Sequence, residues 1–109
     1  MEIECEKRES GTLLKVNGRL DAVTAAAFEK DCQHIIDGSE KKLVVDLTEL
    51  EYISSAGLRS ILSSAKKLKA AGGTMQFCGL RGMVQEVFQV SGLGSMFSVT
   101  ATADEVFES

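Results

Sequence analysis

The chain has 109 residues, 44% of them hydrophobic and 26% charged, with no proline and no tryptophan. That is enough for one domain spanning residues 1–109 and too little for two, since a domain of this size buries roughly 60–70% of its unfolded surface and stands without disulfides or metal. The net charge of −4 and the absence of a concentrated basic face argue against nucleic acid as a partner.

From the N-terminus, Ile3 to Arg8 and Thr12 to Val16 alternate in a strand-like way around Ser10-Gly11, which predicts an antiparallel hairpin with a tight turn. After Asn17-Gly18, Phe28, Cys32, Ile35 and Ile36 fall on one helical face; that helix is predicted to start between Asp21 and Thr24 and to stop at Gly38. Leu43, Val44 and Val45 are continuously apolar and end in Asp46, the pattern of a buried strand in a largely parallel sheet. A turn through Thr48 and Glu49 follows. From Leu58 the apolar positions Ile61, Leu62, Ala65 and Leu68 predict a second helix from about Ser55 to Ala71, broken by Gly72-Gly73. Thr74 to Cys78 resumes as a strand, Met83 to Ser91 as a short helix, Phe97 to Thr100 as a strand and Ala103 to Phe107 as a helical turn. The resulting order predicts an α/β fold, a mixed sheet of about five strands packed with about four helices.

Cys5, Cys32 and Cys78 are an odd number at wide spacing, with no C-x-x-C pair and only one histidine to complete a metal site. They are expected to be reduced, mostly buried thiols, with no metal and no cofactor. No apolar run approaches the ~20 residues of a membrane helix, and the first ten residues have no signal-peptide pattern. Direct membrane insertion is not expected, and the expected location is the cytoplasm.

Enzyme motifs are incomplete. Around Ser55 only half of a nucleophile elbow is present, since Ile53 stands two residues before it where a glycine belongs and Gly57 two after. His34, the only histidine, lies mid-helix beside the apolar stripe and is expected to be a partly buried structural residue. Glu49 and Glu51 have no apolar pocket to raise their pKa values. The ten glycines form neither a G-x-x-x-x-G-K nor a G-x-G-x-x-G run. The Lys66, Lys67 and Lys69 cluster falls mostly on the polar side of the second helix and reads as a solvated face.

Regulation remains. A helix N-terminus presents unpaired N–H groups and a partial positive charge, so Ser55 is either a helix cap or a switch. A phosphoryl group there adds about −1.5 to −2 charges where the helix dipole tolerates them, but a partner closed over the neutral hydroxyl would have to desolvate a dianion. The loop from Thr48 to Ser55, at the carboxyl end of a strand, and Asp21 in the loop before the first helix are the candidate working edge.

At these residues the chain resembles the bacterial anti-sigma-factor antagonists, the single-domain members of the STAS (sulfate transporter and anti-sigma-factor antagonist) family. VNGRLDAVTAAAFE, LVVDLTELEYISSAGLRSIL, GGTMQFCGL and VFQVSGL are similar to its successive segments, in order. The resemblance implies a non-enzymatic protein in a partner-switching pathway. The unphosphorylated form would bind an anti-sigma factor that is also an ATP-dependent serine kinase, phosphorylation would release it, and a serine phosphatase would restore binding. By position the phosphoacceptor is Ser55, two residues before Gly57, and Asp21 matches a partner-contacting loop acid. One common form of the motif has an aspartate immediately before the acceptor; Ser54 stands there instead, which makes Ser54 the alternative acceptor. The expected contact set is Asp21, Ser54, Ser55, Gly57, Arg59 and Ser63, with Lys66 at its margin; Gly57 is expected to let a partner's backbone approach. The family also includes scaffold or sensor subunits and cytosolic accessories of membrane transport systems.

Overall fold

The computed structural model describes residues 1–108. Strands β1 (Glu2–Arg8) and β2 (Gly11–Leu20) form an antiparallel hairpin. Helix α1 (Ala25–Asp37), β3 (Lys42–Asp46), β4 (Leu50–Ile53), α2 (Ser55–Ala70), β5 (Thr74–Cys78), α3 (Gly82–Ser91), α4 (Leu93–Met96), β6 (Val99–Thr100) and α5 (Ala103–Glu108) follow. The strands form one mixed sheet in the order β1-β2-β3-β5-β6, with β4 paired to β2 alone, and all pairs except β1–β2 are parallel.

The unbroken apolar run of β3 has a direct cause in this layering. Leu43 and Val45 face the main core, with Leu14, Val16, Phe28, Ile61 and Leu68, whereas Val44 faces the opposite side with Leu13, Cys78 and Val106 of α5. Both faces of β3 are covered, so neither can be polar. Phe77 packs edge-on between Phe88 and Phe97, at 5.3 and 5.1 Å between ring centroids.

Four expectations need correction. Asn17-Gly18 does not end β2: Gly18 takes φ +95°, the ladder register shifts between Gly18 and Arg19, and the strand continues to Leu20. The segment read as part of a loop contains β4, whose Leu50 and Ile53 are buried against the far end of β2. Short α4 adds a fifth helix. His34 is exposed, because at 100° per residue it lies roughly 140° around α1 from the centre of the buried stripe.

Two of the three cysteines are buried as expected, and Cys5 is exposed on β1. Burial, chiefly, pushes the Cys32 and Cys78 thiols up to about 12. No helix among the described residues is long and apolar enough to cross a membrane.

Candidate functional site

The bulge at Gly18 lets one strand serve two neighbours. Before it β2 pairs with β3, and after it Arg19 and Leu20 pair with Tyr52 and Ile53 of β4. The loops leaving β2 and β4 therefore emerge side by side, one carrying Asp21 and the other Ser54-Ser55. The Leu20 carbonyl ties them together by accepting the Ser54 N–H at 3.0 Å.

The two serines have different environments. Ser54 is the N-cap of α2: its backbone is extended, and its Oγ accepts the Gly57 N–H at 3.2 Å. Ser55 is the first helical residue, exposed, with no side-chain hydrogen bond among the described residues. Cap and candidate switch are thus adjacent residues. Ser54→Ala is expected to cost about 1 kcal/mol, or roughly 4–8 °C in Tm for a domain this small, as measured by thermal circular dichroism.

Gly57 is buried, and its close neighbour is internal. A Cβ there would sit 2.5 Å from the Leu20 carbonyl oxygen and 3.0 Å from Ile53 Cγ1. The expectation that this glycine admits a partner's backbone is corrected accordingly: it admits the end of β2, which positions the α2 N-terminus.

Asp21 opens the turn before α1. Its carboxylate accepts the Val23 and Thr24 N–H groups at 3.0 and 3.2 Å, and Arg19 lies 3.6 Å away. Burial raises the Asp21 pKa, but these hydrogen bonds, with the Thr24 hydroxyl and Arg19, outweigh it and hold the carboxyl below its ordinary 3.8. A pKa lowered by folding stabilises the protein above the ordinary carboxylate range, and that contribution is lost as pH falls through the lowered value. Asp21→Asn keeps an oxygen for the turn and removes the charge. The variant is expected to be less stable than wild type in urea unfolding at about pH 7, with the gap narrowing as pH falls through and below the ordinary carboxylate range.

Three residues that sequence patterns did not single out join this surface. The Arg19 guanidinium stacks on the Tyr52 ring at 4.1 Å from its centroid, and Val23 is 89% exposed beside Asp21. The available signal was the placement of Arg19 two residues before Asp21 in G-R-L-D; Tyr52 had none, because its strand was not recognised. On α2, Arg59 and Lys66 are exposed and Ser63 partly so, and with Ser55 they follow one stripe of the helix. Among the described residues no group of three or more His, Cys, Asp or Glu could hold a metal ion.

The STAS domain model matches residues 2–106. The chain belongs to the STAS family. BtrV of Bordetella bronchiseptica, which carries the name of an anti-sigma factor antagonist, is 35% identical over 99 residues, covering 91% of this chain and 85% of BtrV. Solved structures of two other proteins show the same STAS fold. One is an anti-sigma factor antagonist from Thermotoga maritima, with TM-score 0.90, 20% identity, and 97% and 92% of the two chains covered. The other is SpoIIAA of Bacillus, also named an anti-sigma factor antagonist. Its unphosphorylated form aligns at TM-score 0.83 and 21% identity over 98% and 94% of the chains, and its phosphorylated form at 0.77 and 21% over 98% and 97%. Among the described residues, six strands in one mixed sheet, with five helices, are the STAS form of the α/β architecture that the sequence predicts.

Proposed function

We propose that this chain is an anti-sigma factor antagonist whose partner binding is switched off by phosphorylation of Ser55. The observation that carries the reading is the division of labour at the start of α2, where Ser54 takes the capping role and Ser55 stays exposed and unengaged at the first helical position. A kinase can reach that hydroxyl without unfolding a turn. The product phosphate would lie where the helix dipole accepts negative charge, so the cost of modification falls on the interface and not on the fold.

The partner surface in this reading is built from Asp21, Ser54, Ser55, Arg59 and Ser63, with Val23 as an exposed apolar contact and Arg19 stacked on Tyr52 at its edge. Gly57 acts from beneath by setting the position of α2. The partner would be an anti-sigma factor with ATP-dependent serine kinase activity, opposed by a serine phosphatase, and the protein would act in the cytoplasm by contact instead of catalysis. Support comes from the 35% identity to BtrV, from the family match over residues 2–106, and from the fold shared with SpoIIAA, a protein solved with and without its phosphate.

The test is capture from the source organism's lysate with wild-type and Ser55→Asp baits, followed by mass spectrometry. Recovery of an ATP-binding, kinase-like protein by wild type alone is the expected result. Equal capture by both baits of a large assembly or a membrane component would replace this reading with a scaffold or transporter accessory.

A further inference from the structure

Toward the other end of α2, roughly 10–20 Å along the helix from Ser55 at 1.5 Å rise per residue, lies a groove that the partner-switching reading touches only at Lys66. Leu62, Ala65, Lys66 and Lys69 occupy one helical face and form one wall. Gly73, Thr74 to Gln76 of β5, and Met96 to Ser98 form the rest. Its volume is about 490 Å³, within the range of roughly 300–1,000 Å³ typical of small-molecule sites.

The groove exists because β6 is short. Val99 and Thr100 pair only with Phe77 and Cys78, so the edge of β5 from Thr74 to Gln76 has no strand beside it. Phe77 donates its N–H to the Ser98 carbonyl across this edge. Residues alternate along a parallel strand in the edge they address, so Met75 turns its backbone N–H and C=O toward the open stretch.

Charge at the mouth is one-sided. Lys66 and Lys69 are exposed, and no carboxylate lies among the lining residues. Acidic residues outnumber basic ones 16 to 12 in the chain, yet none of the described ion pairs engages either lysine. Two cations in the last turns of a helix suit its dipole, but the dipole does not call for the apolar trough that lies beneath them.

We propose that this groove binds a small amphipathic carboxylate, with its acyl or aryl body on Leu62, Ala65, Met75 and Phe97 and its carboxylate between Lys66 and Lys69. An added peptide strand is disfavoured, because only Met75 offers its backbone pair along so short an open edge. A membrane surface is disfavoured because two lysines give little electrostatic attraction to anionic lipid. The proposal goes beyond the Ser55 switch and does not depend on it.

The probe is sodium decanoate below its micelle concentration, titrated into ¹⁵N-labelled protein and followed by NMR. Saturable shifts concentrated at Leu62 to Lys69 and Thr74 to Gln76 are expected, with about tenfold weaker binding of decan-1-ol and of decanoate by a Lys66→Gln/Lys69→Gln variant. Both lysines are exposed, so the variant should fold, and its spectrum checks that directly. Equal decanoate affinity in the variant overturns the proposal. So do shifts that never saturate, or shifts at these residues with anionic vesicles but not with decanoate.

Discussion

Ser55→Asp is expected to fold as well as wild type and to bind its partner roughly 30-fold to several thousand-fold more weakly, the range set by about 2–5 kcal/mol for a charge forced into a closed interface. The first half of this expectation rests on location. Ser55 is exposed at the first position of α2, and a carboxylate there gains about 0.3–1 kcal/mol from the helix dipole. Tm should therefore be unchanged or slightly raised. The second half rests on what surrounds it: Asp21 already places one carboxylate on the adjoining loop, where hydrogen bonds and Arg19 favour its charged form. A partner matched to this surface would meet a second anion with nothing prepared for it. Ser55→Ala removes the hydroxyl without adding charge and should bind within a few-fold of wild type. Isothermal titration of the captured partner against the three proteins measures the difference.

Gly57→Ala is expected to lose about 1–3 kcal/mol, lowering Tm by roughly 5–20 °C, because an added methyl group cannot enter a packed contact without displacing its neighbours. The methyl carbon would lie 2.5 Å from the Leu20 carbonyl oxygen, a backbone atom already held by the Ser54 N–H. Relief therefore requires α2 to move away from β2, which carries Ser54 and Ser55 away from the Asp21 loop. Partner binding should weaken even at temperatures where the variant remains folded. Gly94→Ala is the control, since its Cβ would have no neighbour nearer than 3.9 Å, and it should leave Tm and binding unchanged. Thermal circular dichroism and the same titration separate the two effects.

The parts of this architecture that were legible in the sequence are those with strong local signals. Leu43 to Val45 announced a strand covered on both faces, and Leu58 to Leu68 announced an amphipathic helix; both are found where the periodicity placed them. Strand β4 was not legible: Leu50 and Ile53 are buried three residues apart, which breaks the alternation expected of a strand, and its partner is the end of β2 beyond a bulge. Asn17-Gly18 carries a turn signature that local reasoning cannot distinguish from a bulge, since both exploit a positive φ at glycine. Spacing left Ser55 as either cap or switch, and the Gly57 N–H donated to Ser54 Oγ assigns the cap to Ser54. The packing of Gly57 on Leu20 joins residues 37 positions apart, and no local pattern encodes such a contact.

The most direct measurement is the location of the phosphate after incubating the protein with ATP and the captured kinase. Tandem mass spectrometry should place it on Ser55, with Ser54→Ala still modified, Ser55→Ala not modified, and the phosphorylated product no longer binding the kinase. Phosphate on Ser54, or a Ser55-phosphorylated protein that keeps its partner, would contradict the switch.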